Sequence, residues 1–380
     1  MITVSMDVHV RNSFLYATDA AQKVLGRGRY SNTPLDLGTF LKPVEQAALA
    51  TTEPVHVVLE STTNSRGIAR MLAAYGREAG IDLTVDVLDA RRLRVIAESV
   101  CKTDGVDARV LNELAASNLK LPVCYMPDDE EFALREHLRS RSDLVRIRTM
   151  LKNRVHAVLH RRAILAPQSD LFTAAGREFL RQLLLDEAGR AILTRYLEGV
   201  DQIDALVHES TASLKELARS PRWAKPAALL QTMPGVGLLT SLTILSELGN
   251  LHRFPSRAAV ANYAGLVPVV RNSNEKHYAG GITHRGSTHL RAMLVEAAWM
   301  AEPRVPAYHD LFQRVEFRKG KATAIVAVAR RMLEDTYTML KRDEAFRYRA
   351  VSMAETTKKE SLCANTPSRR NRKVASSVAG

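Results

Sequence analysis

The chain has 380 residues, 46% hydrophobic and 25% charged, which excludes disorder over most of its length and supports two or three domains. Lys and Arg number 54 against 41 acids, a net charge of +13. That balance suits a polyanionic partner, because each cation set against a phosphate releases condensed counterions. No stretch approaches the roughly 18 to 20 apolar residues of a membrane span. The start, Met1 to Asp7, lacks the basic and apolar regions of a secretory signal. Three cysteines (Cys101, Cys124, Cys363) form no CxxC pair and no even-numbered framework. A cytoplasmic protein with reduced thiols and no membrane partner is expected.

The first 120 residues alternate between strand and helix patterns. Ile2 to Val8 reads as a strand, and Ser13 to Ala17 follows a polar turn as its antiparallel partner. Pro34 to Ala50 has helical spacing, with Leu37, Phe40, Leu41, Val44 and Ala48 on one side. His56 to Glu60 is a β-branched strand, Gly67 to Glu78 a helix and Ile81 to Val87 a strand. Ala90 to Val100 and Asp104 to Ser117 read as helices. A hairpin followed by β-α-β-α is the order of an RNase H-like mixed sheet. A doubly wound sheet is the rival, but no Gly-rich phosphate loop follows the first strand.

After Pro122 and Pro127 the texture changes. Asp128 to Arg162 lacks Gly and Pro, and Leu144, Ile147, Leu151, Val155 and Val158 repeat at three and four, which predicts one long helix. Its segment from Arg135 to Arg162 carries nine basic residues and two acids. Phe179 to Leu217 continues the pattern, broken near Gly199. An antiparallel helical hairpin is the plain expectation, a dimerising coiled coil the alternative. A third block opens at Pro221, with helices expected over Leu238 to Leu248, Pro255 to Ala264, Ser287 to Met300 and Lys321 to Leu340. Asn272 to Gly286 is polar and contains glycine, so a loop is expected. From about Ala350 on, Ser, Thr, Lys and Arg dominate without apolar periodicity, the signature of a disordered basic tail.

Asp7 and Glu60 close two strands, and Asp104 and Asp107 stand three apart on a helix, where both can share a face. Converging carboxylates repel by up to about 4 kcal/mol per close pair at an effective dielectric of roughly 20, so such a cluster needs cations. Oxygen-only ligands select Mg²⁺ or Mn²⁺. Two such ions can clamp the attacking and leaving oxygens of an in-line phosphoryl transfer. Singly, each acid is equally well a turn residue or a solvated helix start.

Met6-Asp7-Val8-His9, Leu59-Glu60-Ser61-Thr62 and Lys102-Thr103-Asp104-Gly105-Val106-Asp107-Ala108-Arg109 resemble the D-E-D-D signature of one transposase family. These are the bridge-RNA-guided insertion-sequence recombinases related to the Piv DNA invertase, with a catalytic domain like the Holliday-junction resolvase RuvC. Farther on, Met233-Pro234-Gly235-Val236-Gly237, Arg253-Phe254, Tyr263-Ala264-Gly265-Leu266-Val267-Pro268 and Gly280-Gly281-Ile282-Thr283-His284-Arg285-Gly286 resemble that family's C-terminal domain. The resemblance runs in order over roughly residues 1 to 340. It implies an α/β RuvC-like DEDD catalytic domain over 1–125, a helical, coiled-coil-like region over 126–220 and a mainly α C-terminal transposase domain over 221–345. A basic tail over 346–380 completes the chain.

The resemblance further implies that Ser273, within Arg271-Asn272-Ser273-Asn274-Glu275, is a nucleophile. A serine hydroxyl is weak unaided and must borrow activation from a base or metal. Attack would leave a covalent phosphoserine that conserves the bond for rejoining without ATP. Many relatives follow this serine with glycine, whereas here Asn274-Glu275 follows; Asn tolerates a left-handed backbone. Lys276, Arg285 and Arg291 flank this segment as candidate phosphate clamps. Pro234-Gly235-Val236-Gly237 reads either as a helix-hairpin-helix turn whose N–H groups hold a phosphate or as a plain helix start.

By the same resemblance the partners are donor and target DNA and a structured RNA encoded by the element. RNA contact is expected on the arginine-rich helix, at Arg141, Arg146, Arg148 and Arg154. Joining two duplexes takes at least two active sites, so a homodimer assembling to a tetramer on DNA is expected. The alternatives are a site-specific DNA invertase, a RuvC-type structure-specific nuclease and a non-enzymatic architectural protein.

Overall fold

The computed structural model of the chain describes residues 1–90, 92–93, 104–117, 119–167, 169–273, 276–283 and 286–347, with the backbone alone at 104, 270–273 and 276–280. Most of the helix expected over 90–100, Arg285 and all but the first two residues of the tail lie outside these. The chain divides into two units, Met1–Pro127 and a second that begins at Asp128.

In the first unit, β1 (Ile2–Val8) obeys strand alternation. Ile2, Val4, Met6 and Val8 are buried in one core, so Thr3, Ser5 and Asp7 belong to the other face. Strand β2 (Asn12–Thr18) pairs antiparallel with β1, and β3 (Val24–Ser31) antiparallel with β2. Strand β4 (Val55–Glu60) runs parallel to β1 and β5 (Leu83–Leu88) parallel to β4, giving the order β3-β2-β1-β4-β5. Helices α1 (Pro34–Thr51) and α2 (Ser65–Ala79) make the crossovers and cover the Val4/Met6 face. Thr33 starts α1 by accepting from the Asp36 N–H, and Gly80, at φ 66°, ends α2. Helix α3 (Asp104–Ala116) covers the opposite face, its Leu111 and Ala115 packing with Val58 and Leu88.

Strand β3 was not expected from sequence. It is an edge strand whose Val-Leu-Gly-Arg-Gly-Arg-Tyr-Ser run lacks a buried alternating set, and two glycines blur the pattern further. Gly26 is there because the Phe40 ring presses on it: an added Cβ would lie 3.2 Å from that ring.

The second unit begins with α4 (Asp129–His160), capped by Asp128, which accepts from the Glu131 N–H. It packs along α6 (Glu187–Leu217). Arg141 meets Thr211, Arg148 meets Asp204 and Arg162 meets Asp186, so one number rises as the other falls and the pair is antiparallel. Gly199 does not break α6. It lets the helices approach, since a Cβ there would lie 3.2 Å from Leu151 Cδ1. The break comes earlier, between α5 (Ala174–Gln182) and α6, where Asp186 accepts from the Gly189 N–H at 3.0 Å and restarts the helix.

The remaining core joins Leu134, Leu138 and Leu214 of the hairpin to six further helices. These are α7 (Pro221–Gln231), α8 (Leu238–Leu248), α9 (Arg257–Tyr263), α10 (Thr288–Ala301), α11 (Pro306–Lys319) and α12 (Lys321–Arg342). Helix α8 is buried from Thr240 to Leu248, and its Ser241 and Thr243 hydroxyls donate to carbonyls of their own helix. The loop expected over 272–286 is instead largely a hairpin of β6 (Pro268–Ser273) and β7 (Lys276–Ile282). A two-stranded ribbon is held by its backbone ladder and needs no apolar face, so hydropathy does not reveal it. Among the described residues no helix is long and apolar enough to cross a membrane.

Candidate active site

The site in the first unit follows from register. Met6 pairs with Leu59 across the parallel ladder, and Asp7 and Glu60 each come one residue later, at the carboxyl ends of adjacent strands. Val57 and Leu59 lie in the α1/α2 core and Val58 in the α3 core, so alternation assigns Glu60, like Asp7, to the α3 face. Strands lie about 4.8 Å apart, close enough for two carboxylates to share a cation.

Three buried groups dock α3 on that face. Ser5 Oγ donates to the Ala108 carbonyl at 2.5 Å. Asn112 Nδ2 donates to the Thr3 and Tyr16 carbonyls at 3.0 and 3.2 Å, while Asn112 Oδ1 accepts from Thr18 Oγ1 at 2.8 Å. Moving from Asn112 to Ala108 along the helix thus corresponds to moving from Thr3 to Ser5 along β1. Four helical residues advance about 6 Å and two strand residues about 6.6 Å. One more step brings the Asp104 backbone to the level of Asp7. Gly105 agrees independently: a Cβ there would lie 3.2 Å from Phe14, the residue paired with Asp7 across β1 and β2.

Asp7, Glu60 and the first turn of α3 therefore meet at one end of one sheet face, and Asp107, in that turn, is exposed to solvent. Among the described residues no group of three or more His, Cys, Asp or Glu stands ready to hold a metal, and the Asp104 side chain is outside that description. The donor chemistry at Asp7 and Glu60, all oxygen, fits a hard divalent cation. His9 Nε2 stands 3.4 Å from Asp7 Oδ2 on the exposed side.

Sequence reasoning missed Asn112 and Ser5, whose hydrogen-bonding roles exist only once helix and sheet are packed. It also missed Asn32 and Asn64, whose amides donate to the His9 carbonyl at 2.7 and 3.1 Å and brace the turn beside Asp7. Burial, then the neighbouring Asp89 charge, pushes the Cys124 thiol up.

Ser273 belongs to the second unit, on β6, where the ladder closes with Ser273 opposite Lys276. Ala264-Gly265-Leu266 is a helix stop: the Leu266 N–H donates to the Ala261 carbonyl at 3.0 Å and Gly265 takes φ 70°. The hairpin leaves from this stop and returns to Gly286, where φ is 73° and a Cβ would lie 2.0 Å from the Tyr263 carbonyl oxygen. Arg291 staples the two ends. It is buried, and Nη1 donates to the Ala264 and Gly286 carbonyls at 3.0 and 3.3 Å. This corrects its expected role as a phosphate clamp: the guanidinium is committed to backbone oxygens inside the protein, and desolvation lowers its pKa. The Pro234 to Gly237 turn likewise faces inward at Gly235, where a Cβ would lie 2.3 Å from the Ala297 carbonyl oxygen.

The arginine-rich helix divides in two. Arg141 Nε donates to Thr211 Oγ1 at 2.7 Å, and burial, then the nearby Arg148, lowers its pKa. Arg148 pairs with Asp204 at 2.9 Å. These two serve the seam with α6 while remaining partly exposed. Arg146 and Arg154 are exposed, and Arg146 pairs with Asp143 of its own helix at 3.1 Å.

The chain thus joins a mixed sheet with acids at adjacent strand ends to a helical unit that carries the β6–β7 hairpin. Residues 4–163 match a DEDD transposase model, and residues 227–313 match the model described as Transposase IS116/IS110/IS902 family. The chain is 26% identical over 288 residues to the transposase for insertion sequence element IS1111A of Coxiella burnetii, covering 72% of this chain and 76% of that one. It is 23% identical over 308 residues to the pilin gene-inverting protein of Moraxella bovis, covering 79% and 84%. With the putative transposase y4qE of Sinorhizobium fredii it shares 25% over 249 residues, which is 65% of this chain and 58% of that relative. The chain carries two domains of IS110-family insertion-sequence transposases, enzymes that cut and rejoin DNA, over residues 4–163 and 227–313.

Proposed function

We propose that the first unit is a RuvC-like domain of RNase H type in which Asp7, Glu60, Asp104 and Asp107 hold two Mg²⁺ or Mn²⁺ ions, and that Ser273 is the nucleophile. The observation that carries this is the convergence of Asp7, Glu60 and the first turn of α3 on one sheet face. When bound, the metal would offset charge on the phosphate oxygens. Ser273 Oγ gives up its proton, forms an Oγ–P bond and displaces a deoxyribose oxygen, which takes up a proton. Attack on the phosphoserine by the hydroxyl of a second strand, which loses its proton, restores Ser273 and joins that strand. The bond count is unchanged, so no ATP is required.

The exposed Arg146 and Arg154, with Lys276 and Arg285, are the proposed contacts to phosphates of DNA and of a structured element-encoded RNA. In that arrangement base pairing reads sequence and the protein reads backbone and shape. A homodimer assembling to a tetramer on two duplexes supplies the required pair of sites. The Moraxella relative, named for inverting a pilin gene, supports a second reading in which the same chemistry acts on a fixed inverted pair.

The test is Ser273→Ala beside Asp7→Asn on end-labelled element DNA. Ser273→Ala abolishes both the covalent protein–DNA adduct and joining, whereas Asp7→Asn reduces cutting and leaves RNA binding intact. A Ser273→Ala enzyme that still cleaves is a water-using nuclease, and an Asp7→Asn enzyme of normal rate has its metal elsewhere.

A further inference from the structure

Register places two arginines of the edge strand β3 on the same sheet face as the candidate carboxylates. Arg29 pairs with Phe14 and Arg27 with Tyr16 across the β2–β3 ladder, and the same two aromatics pair with Asp7 and Ser5 across β1–β2. Directly paired residues point to one side of a sheet. Asp7, Phe14 and Arg29 therefore form one row on the α3 face, and Ser5, Tyr16 and Arg27 the next. The alternate residues agree, since Gly26 and Tyr30 meet Phe40 of α1 on the opposite face, the Tyr30 and Phe40 centroids lying 5.2 Å apart. Helix α3 packs on β1 and β2 with Gly105 against Phe14, whereas Arg27 and Arg29 are exposed. From Lys23 to Ser31 there are three basic residues and no acid.

A row with carboxylates at one end and a guanidinium at the other suits a DNA strand entering a cutting site. Bare carboxylates repel a phosphate and need a cation to hold it, but the neighbouring phosphates of the same strand are countered by fixed positive charge on the protein. Arg29 lies two strand spacings from Asp7, roughly 10 Å, which is about three nucleotides at roughly 3.4 Å of rise each. Its guanidinium can grip a phosphate through two parallel N–H donors. We propose that Arg27 and Arg29 hold the DNA strand that leads into the Asp7/Glu60 site, with Arg29 on a phosphate about two to four nucleotides from the one that is cut. Positive charge and continuity with the carboxylate row assign this face to DNA. The proposal rests on the reading of Asp7 and Glu60 as the cutting site, and stands whether or not Ser273 is the nucleophile.

The experiment titrates the full-length protein with end-labelled element DNA over a range of salt. Arg27→Ala and Arg29→Ala each lower the slope of log affinity against log salt by about one, and together by about two. Arg29→Lys keeps the slope, because the charge remains. A second measurement replaces single phosphates on either side of the cut by uncharged methylphosphonates. In the wild type one position, about two to four nucleotides from the cut, weakens binding roughly 10-fold when neutralised. Arg29→Ala is insensitive at that position and normally sensitive elsewhere, a pattern that a general loss of stability does not produce. Both side chains are exposed, so their replacement leaves the core intact. An unchanged salt slope in the double variant, or sensitivity that persists in Arg29→Ala, overturns the proposal. Losses confined to RNA overturn it in favour of an RNA contact. Self-association of the double variant in sedimentation, with DNA affinity unchanged, overturns it in favour of charges that keep the edge strand from pairing. Failure of the underlying reading shows separately, as wild-type cutting by Asp7→Asn.

Discussion

Replacing Asn112 by Ala tests how α3 is set over the strand ends. Asn112 is fully buried and makes three hydrogen bonds to β1 and β2. Truncation leaves the buried Thr18 hydroxyl without this acceptor, at a cost of about 1–3 kcal/mol, and removes two donated bonds of roughly 1 kcal/mol each. Partial relaxation brings the expected loss to about 2–3 kcal/mol. At tenfold per 1.4 kcal/mol, amide hydrogens in peptides spanning 104–116 should exchange roughly 30- to 150-fold faster. Asn112→Asp should be worse, because its second oxygen faces the Thr3 and Tyr16 carbonyls. DNA cutting should fall with either variant, since the same bonds set the level of Asp104 against Asp7. Unaltered exchange in α3 would refute the docking argument. Faster exchange with cutting at the wild-type rate would refute the link between helix register and the carboxylate site.

Two other substitutions act through the backbone and in opposite directions. Gly286→Ala adds a Cβ 2.0 Å from the Tyr263 carbonyl oxygen at a left-handed position, and should destabilise by about 2–4 kcal/mol in a thermal melt. Gly67→Ala in α2 meets nothing within 4 Å and should stabilise by about 0.5–1 kcal/mol. The start of α4 should also be acid-sensitive. The Arg222 guanidinium, then the Glu131 N–H, holds the Asp128 carboxyl below its ordinary value of 3.8. A lowered folded pKa means the stabilisation is complete above the unfolded value and is lost as pH falls through the folded one. The melting temperature should therefore decline below about pH 4, and Arg222→Met should flatten that decline.

Local pattern alone sufficed where one side chain set answered one demand. The period-two run Ile2 to Val8 and the stripe Leu37, Phe40, Leu41, Val44 and Ala48 bury the expected faces, because amphipathic spacing is a property of adjacent residues. The strand-ending acids Asp7 and Glu60 were visible for the same reason. The β3 edge and the β6–β7 hairpin were not, since backbone ladders hold them without an apolar code. Nor could spacing divide the arginines: Arg141 and Arg148 face α6, Arg146 and Arg154 face water, and Arg291 lies buried on the carbonyls of two chain ends 22 residues apart, Ala264 and Gly286. A guanidinium's long stem reaches solvent or protein alike, and which it finds depends on the element packed against it. Composition and periodicity thus determined the amphipathic elements and the acidic candidates. Packing alone decided the level of α3 over β1, and which charged groups remain exposed.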